Sequence, residues 1–177
     1  IDLNININYD KRRKDNIILP NKLTTQLAEF LGYYMGDGHK SSEFSLRLTD
    51  MDLQILNYHK NLVKEIFNFE SKIRHHSDKS KNASILELNN VKIIRFLEQN
   101  FPEAFNKAKD IFIPEKIINS SSDIQKAFLR GFADAEGSFA DTIKITSYSK
   151  QMLEDLQYLL SLQKIPSIIS PKSNSVY

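Results

Sequence analysis

The chain has 177 residues, enough for one substantial core or for two small half-domains that share one. Its apolar content of 41% is ordinary for a globular protein, no apolar run is long enough for a membrane helix, and the lack of cysteine excludes disulfides, thiolate metal sites and cysteine nucleophiles. The net charge of +2 agrees with a polyanionic partner without requiring one, and we expect an intracellular protein, in the cytoplasm or nucleoid of a prokaryote or in an organelle.

The first 20 residues are predicted to form an extension. Residues 3–9 alternate apolar residues with asparagines, a period of two that is typical of a half-buried strand. The basic run at 11–14 is of a kind that more often lies on a solvated surface than in a binding site. Because the chain begins with Ile1 rather than Met, we expect it to be processed, trimmed or excised from something longer.

An amphipathic helix is predicted to follow. Thr24 or Thr25 is a suitable N-cap, and Gly38 is a suitable end. The apolar face consists of Leu27, Phe30, Leu31, Tyr34 and Met35. Alternation then predicts a strand over 43–49, after which Asp50 is expected to cap a second helix.

The order of predicted elements repeats in the second part of the chain. The first half continues with strands at 71–76 and 83–88 and a helix at 90–99. The second half has a helix that starts at 120–123 and ends at Gly137, a strand at 139–147, a helix at 151–163 and a strand at 166–169. Only residues 138–177 follow Gly137, so we expect a closing strand and helix to be missing.

Residues 30–38 and 129–137 are two copies of one pattern, in which two small residues four apart are followed by an acid and a glycine. The small residues are Gly32 and Gly36 in the first copy and Gly131 and Ala135 in the second. Such a strip on a helix lets a second helix approach until the backbones nearly touch. Two copies indicate a pseudo-dimer rather than a solenoid.

The acids of the pattern, Asp37 and Glu136, stand in the last turn of their helices, where the helix dipole disfavours an acid by roughly 0.3 to 1 kcal/mol. If the helices pack together, the two carboxylates also repel each other unless a cation or a proton intervenes. This costly arrangement indicates a divalent metal bound by oxygen ligands, although a local cap or ion pair would also account for each acid. Asp134 corresponds to Met35 and is a weaker candidate ligand, and a histidine such as His39 is more often a surface residue.

The two copies resemble the motifs of the LAGLIDADG homing endonucleases in their two-motif, single-chain form. The lead-ins at 23–32, 113–117 and 127–131 are similar to those of archaeal and intein-borne members. The resemblance implies an α+β fold, a pseudo-two-fold pair of αββαββ-type halves with saddle-shaped antiparallel sheets and a central packed helix pair. The expected division is an extension at 1–20, a first half at 21–112 and a second half at 113–177 that is incomplete at its C-terminal end.

The activity that the resemblance implies is site-specific cleavage of both strands of a long, asymmetric duplex DNA site. Water attacks each scissile phosphate with the help of Mg²⁺ or Mn²⁺. The enzyme is expected to act as a monomer on double-stranded DNA, away from any membrane. Carried over by position, Asp37 and Glu136 are the metal ligands and catalytic acids that act across the minor groove, with Gly36 and Ala135 beside them at the metal sites.

Lys40 fits a lysine that some members of the family place near the scissile phosphates. Phe139 stands at the equivalent place in the second half, where Lys144 is the candidate substitute. DNA contacts are expected from the polar faces of the sheets, since arginine can read guanine and lysine meets phosphate. The candidates are Arg47, Arg74, His76, Lys79, Lys81, Lys144 and Thr146.

Two other functions stay open on the sequence. One is a DNA-binding regulator of the same fold that does not cut, although both motif acids are present here. The other is an RNA maturase that assists intron splicing. Intron-encoded, intein-derived and free-standing origins are all compatible with the chain, but protein splicing by it is not expected because it lacks a leading Cys or Ser and a terminal His-Asn pair.

Overall fold

The computed structural model describes residues 1–7, 16–75, 83–139, 142–170 and 175–176. Its first half consists of α1 (Thr25–Asp37), β1 (Gly38–Ser42), β2 (Ser45–Asp50), α2 (Leu53–Phe67), β3 (Lys72–His75), β4 (Ser84–Leu88) and α3 (Val91–Asn100). A 3₁₀ turn at Pro102–Phe105 and the short helix α4 (Glu115–Ile118) lead to the second half. That half consists of α5 (Ser122–Glu136), β5 (Gly137–Phe139), β6 (Ile143–Thr146), α6 (Lys150–Leu162), β7 (Ile169–Ser170) and β8 (Ser175–Val176).

The two motif helices, α1 and α5, have the local signals that the sequence predicts. The Thr24 hydroxyl accepts a hydrogen bond from the N–H of Leu27 at 3.2 Å, which caps α1. Each helix ends at the residue before its motif glycine, which begins the next strand and whose N–H still donates to a helix carbonyl. Because the helix passes directly into the strand, its last acid lies next to the first residue of a sheet.

The helices α1 and α5 pack with their backbones in contact. A Cβ atom on Gly32 would overlap the carbonyl oxygen of Phe128, and a Cβ atom on Gly131 would overlap the carbonyl oxygen of Glu29. Because Glu29 and Phe128 occupy equivalent places in the repeat, the two overlaps are a pair of equivalent contacts, one from each half. The close approach predicted from the small residues is confirmed.

Each half contributes a four-stranded antiparallel sheet, with strand orders β1-β2-β4-β3 and β5-β6-β8-β7. Gly38 faces Leu48 in the first sheet and Gly137 faces Ile145 in the second, so the two leading hairpins correspond residue by residue. On this register Arg47 corresponds to Lys144, Asp50 to Ser147 and Met51 to Tyr148. The predicted α+β class and pseudo-two-fold arrangement are confirmed.

The two halves differ in how the apolar face of the sheet is covered. Leu46 on β2 is fully buried, whereas its equivalent on β6, Ile143, is 56% exposed beside an apolar cavity of about 280 Å³. In the first half, α3 packs against the apolar face of the sheet. Among the described residues, no helix covers the corresponding face in the second half. The closing strand that was expected to be missing is present as β8.

The strand predicted over 3–9 is not formed by the part of it that the structure describes. Asp2 and Lys22 make a single antiparallel bridge. The side chain of Asn100 forms hydrogen bonds with both backbone groups of Asn4: it accepts from the N–H at 2.8 Å and donates to the carbonyl at 2.9 Å. A side-chain amide thus replaces the neighbouring strand that the alternation would need.

Two other predicted strands differ in their bounds. Within 139–147, Phe139 ends β5 and Ile143–Thr146 form β6, which is its antiparallel neighbour, so the predicted stretch belongs to two strands rather than one. The strand predicted at 166–169 begins only at Ile169. No helix in the described part of the chain is long and apolar enough to cross a membrane.

Candidate functional site

The motif acids come together at the foot of the central helix pair. A Cβ atom on Gly36 would overlap the Cβ of Ala135 and lie 3.0 Å from the Cγ of Glu136, so the last turns of α1 and α5 touch. Asp37 and Glu136 are both partly buried there. The structure therefore juxtaposes the four residues for which the sequence predicts metal binding.

Both acids have raised pKa values. Burial raises the pKa of Asp37 to about 6, with a further contribution from the negative charge of Asp50. Burial also raises the pKa of Glu136, with a further contribution from the charge of Asp37. Carboxyl groups whose pKa values are raised by burial and by neighbouring negative charge are typical of functional sites, and a bound cation would relieve the repulsion between them.

A third acid, Asp50 at the end of β2, lies near enough to Asp37 for its charge to act on that carboxyl group. The sequence predicts it as the N-cap of α2, which is wrong: Asp52 is the cap and accepts from the N–H of Gln54 at 2.7 Å. The Asp50 carboxylate instead accepts from the Tyr33 hydroxyl at 2.5 Å and from the N–H of Asp52 at 2.8 Å. The antiparallel return of β2, which brings its last residue back beside the motif, was the signal that sequence reasoning missed.

The equivalent position in the second half carries no charge. Asp50 corresponds to Ser147, which is buried and uncharged. The surroundings of Asp37 thus contain a second carboxylate, whereas those of Glu136 have a hydroxyl. This difference makes the two halves of the site chemically unequal.

A cavity of about 370 Å³ opens beside Glu136. Lys40 lies in its wall and forms an ion pair with Glu98 of α3, which holds the ammonium group in place. Thr146 and Tyr148 of the second half also line this cavity. Lys40 and the motif acid of the other half therefore share one cavity.

The polar face of the first sheet carries a three-strand charge cluster. Glu87 on β4 pairs with Arg47 on β2 at 3.0 Å and with Arg74 on β3 at 3.2 Å. His39 faces Arg47 across the hairpin, and its pKa is lowered by burial and by the arginine charge. Two predicted DNA contacts therefore share one carboxylate, which orients both guanidinium groups.

The other predicted DNA contacts are distributed over the second half and over parts of the chain that are not described. Lys144, equivalent to Arg47, and the exposed Thr146 lie on the same face of β6. The residues His76, Lys79 and Lys81 lie outside the described residues, as does the basic run at 11–14.

The donor set suits a hard divalent cation that stays partly hydrated. Among the described residues no group of three or more His, Cys, Asp or Glu side chains could enclose a metal ion. Asp37 and Glu136 offer carboxylate oxygens only, and Mg²⁺ or Mn²⁺ commonly takes one or two carboxylates and completes its shell with water and phosphate oxygens.

A second polar link joins the halves at the middle of the helix pair. Glu29 of α1 is 3% exposed, accepts from Arg130 Nε of α5 at 2.8 Å and from the Tyr58 hydroxyl at 2.8 Å. Asp134 is electrostatically coupled to this link. Burial raises the pKa of Asp134 most, the negative charge of Glu29 raises it further, and the positive charge of Arg130 acts in the opposite direction. The sequence reasoning missed this link, which no local pattern indicates.

Comparison with known proteins identifies the family. The sequence matches the LAGLIDADG-like domain over residues 24–100 and 123–177, which include both motif helices. The chain belongs to this family. The resemblance seen in the sequence is thereby confirmed.

Its sequence relatives have unrelated names. The chain is 35% identical over 144 residues to a glutamine--fructose-6-phosphate aminotransferase of Methanocaldococcus jannaschii, covering 80% of this chain and 13% of that protein. It is 30% identical over 158 residues to the replication factor C small subunit of the same organism, covering 86% of this chain and 8% of that protein. It is 30% identical over 128 residues to a DNA polymerase of Acanthamoeba polyphaga mimivirus, covering 68% of this chain and 7% of that protein. The LAGLIDADG chain thus spans a small part of each of these relatives.

Solved structures show the same fold. The structure of I-DmoI in complex with DNA and Mn aligns with a TM-score of 0.62 and 19% identity over 88% of each chain. Full-length DUF199/WhiA from Thermatoga maritima aligns with a TM-score of 0.57 and 12% identity over 90% of this chain and 52% of that one. Two helix-and-sheet halves around a central helix pair are the shared architecture.

Proposed function

We propose that this LAGLIDADG protein is a site-specific endonuclease that hydrolyses both strands of a long, asymmetric duplex DNA site. The observation that carries the proposal is the contact between the two motif ends. It brings two partly buried acids of raised pKa to the junction of two equivalent sheets. Similar folds have been solved with DNA and Mn, and with DNA and Ca.

In this proposal Asp37 and Glu136 each hold a divalent cation, Mg²⁺ or Mn²⁺, for one DNA strand. Such a cation, when bound, lowers the pKa of a water molecule and neutralises charge on the scissile phosphate. Both acids must be ionised to act. Asp50 adds a hydrogen-bonded carboxylate to the Asp37 side, and Lys40, oriented by Glu98, presents an ammonium group to a phosphate oxygen on the Glu136 side.

The polar faces of the two sheets are the proposed DNA interface. Glu87 orients Arg47 and Arg74, so less side-chain entropy is lost when a guanidinium group meets a guanine edge in the major groove. In the second half Lys144 and Thr146 occupy the matching face. Because the two faces present different side chains, the two half-sites are expected to differ in sequence.

Incubation of the protein with a library of duplex DNA and Mg²⁺, followed by sequencing of the new ends, tests this function. We expect one long site cut on both strands. Asp37→Asn and Glu136→Gln are each expected to cut one strand only, and the double variant to bind the site without cutting. Asp134→Asn is the matched control, since it removes an acid from the same motif and should cut both strands.

Folding of these variants is checked by urea unfolding at pH 7. A raised folded-state pKa means that Asp37 favours the folded state below its usual pKa of 3.8 and that this advantage is lost as the pH rises through about 6. At pH 7 Asp37→Asn is therefore expected to be at least as stable as the parent. Normal two-strand cutting by Asp37→Asn or Glu136→Gln would contradict the assigned roles, and a parent that binds a site without cutting it would indicate a regulator.

A further inference from the structure

Tyr148 and Met51 are the two most exposed large apolar side chains among the described residues, at 86% and 77%. They occupy equivalent positions in the two halves, each directly after the matching residues Asp50 and Ser147. A single exposed apolar side chain is normal on a protein surface. The same extreme exposure at matching positions of two diverged halves indicates a shared use.

Both side chains stand at the tip of the same turn. In the first half the N–H of Asp52 donates to the Asp50 side chain at 2.8 Å, and in the second the N–H of Ser149 donates to the Ser147 hydroxyl at 3.2 Å. Asp52 and Ser149 are also the N-caps of α2 and α6. Hydrogen bonds on both flanks therefore fix the backbone while the tip side chain points into solvent.

The two tips adjoin the motif acids. The charge of Asp50, next to Met51, acts on Asp37, and Tyr148 lines the same cavity as Glu136. If the acids act on phosphates of opposite strands across the minor groove, side chains beside them face the base pairs between those phosphates. A thioether and a phenol cannot neutralise phosphate, but apolar side chains at the minor groove can wedge between base steps.

We propose that Met51 and Tyr148 are a pair of apolar wedges that enter the minor groove between the scissile phosphates and unstack the base pairs there. This role rests on the endonuclease function proposed above. It makes the central base pairs selective through their ease of deformation, so that flexible pyrimidine–purine steps are preferred without hydrogen bonds to the bases.

The test uses the duplex selected in the cleavage experiment, with 2-aminopurine at the central base pairs. The protein is the non-cutting Asp37→Asn, Glu136→Gln variant, which keeps the duplex intact. Binding is expected to raise 2-aminopurine fluorescence, and adding both Met51→Ala and Tyr148→Ala should abolish the rise. Loss of the wedges is also expected to change affinity by about tenfold or less, since the lost contacts are offset by the unstacking no longer required.

Tyr158→Ala is the matched control, because Tyr158 is 51% exposed on α6 and is not at the turn tip. Its 2-aminopurine signal should equal that of the parent. An unchanged signal in the Met51→Ala, Tyr148→Ala protein that still binds the duplex would overturn the wedge role and leave the endonuclease standing. If the folded parent selects no duplex at all, the endonuclease function fails, and the wedge role fails with it.

Discussion

Asp50 shows how one side chain outside the repeat can adjust a motif acid. Asp50→Asn removes the charge that adds to burial in raising the pKa of Asp37. The pKa of Asp37 should then fall below about 6, although burial keeps it above its usual value. Since the ionised carboxylate binds the cation, cutting of the strand that depends on Asp37 should persist to lower pH in the variant, measured as a strand-resolved pH profile normalised to its maximum.

Asp52→Asn is the control for that measurement. It makes the same charge change in the same turn, and asparagine still caps a helix well. Asp52 is not among the groups that raise the pKa of Asp37, so the pH profile of the Asp52→Asn variant should match that of the parent on its acid side. An Asp50→Asn profile with the parent's acid limb would refute the electrostatic role of Asp50.

Among the elements, the pair α1 and α5 has no room for an added methyl group at its closest backbone contacts. Gly131→Ala should destabilise the protein, because the new methyl would overlap the backbone carbonyl of Glu29, which cannot move without separating the helices. Alanine is favoured over glycine in a helix by about 1 kcal/mol, but overpacking costs about 1–3 kcal/mol and more against a backbone atom. We expect a net loss in the free energy of unfolding, measured with urea.

Lys126→Ala on the exposed face of α5 is the control, since it adds no atoms between the helices. Its free energy of unfolding should lie within about 0.5 kcal/mol of the parent value. A Gly131→Ala protein as stable as this control would show that the two helices can separate without loss.

The protein as a whole is held together across its pseudo-two-fold axis by more than apolar contact. Arg130→Met should cost about 2 kcal/mol, because among the described residues it leaves the buried Glu29 carboxylate with the Tyr58 hydroxyl as its one remaining side-chain partner. Replacing Glu29 by methionine as well should restore most of the loss. Urea unfolding of both variants measures the difference.

Lys150→Met serves as the reference for that pair, because Lys150 is 88% exposed and bonds Glu154 at 3.2 Å within one helix. Exposed pairs of this kind contribute about 0–1 kcal/mol. An Arg130→Met variant no less stable than Lys150→Met would mean that the link between the halves contributes nothing to folding.

Local pattern was sufficient for much of the architecture. Helix-period apolar residues and a terminal glycine predict α1, a helix start at 120–123 and a terminal glycine predict α5, alternation predicts β2, and two small-residue strips predict the packing of α1 on α5. These predictions succeed because helix and strand periods, caps and close packing depend on residues a few positions apart. The same local pattern predicts that Asp37 and Glu136 lie together.

Contacts between distant residues could not be read from the chain. Asp50 was misplaced as a helix cap, and the pairing of Lys40 with Glu98, of Arg47 and Arg74 with Glu87, and of Glu29 with Arg130 had no local signal. Each of these joins side chains from different elements, and their geometry depends on strand register and helix packing. The amino-acid order thus determined the repeat, its two acids and their meeting, whereas folding in three dimensions chose the partners of those acids and made the two halves of the site unequal, because charge interactions act through space and not along the chain.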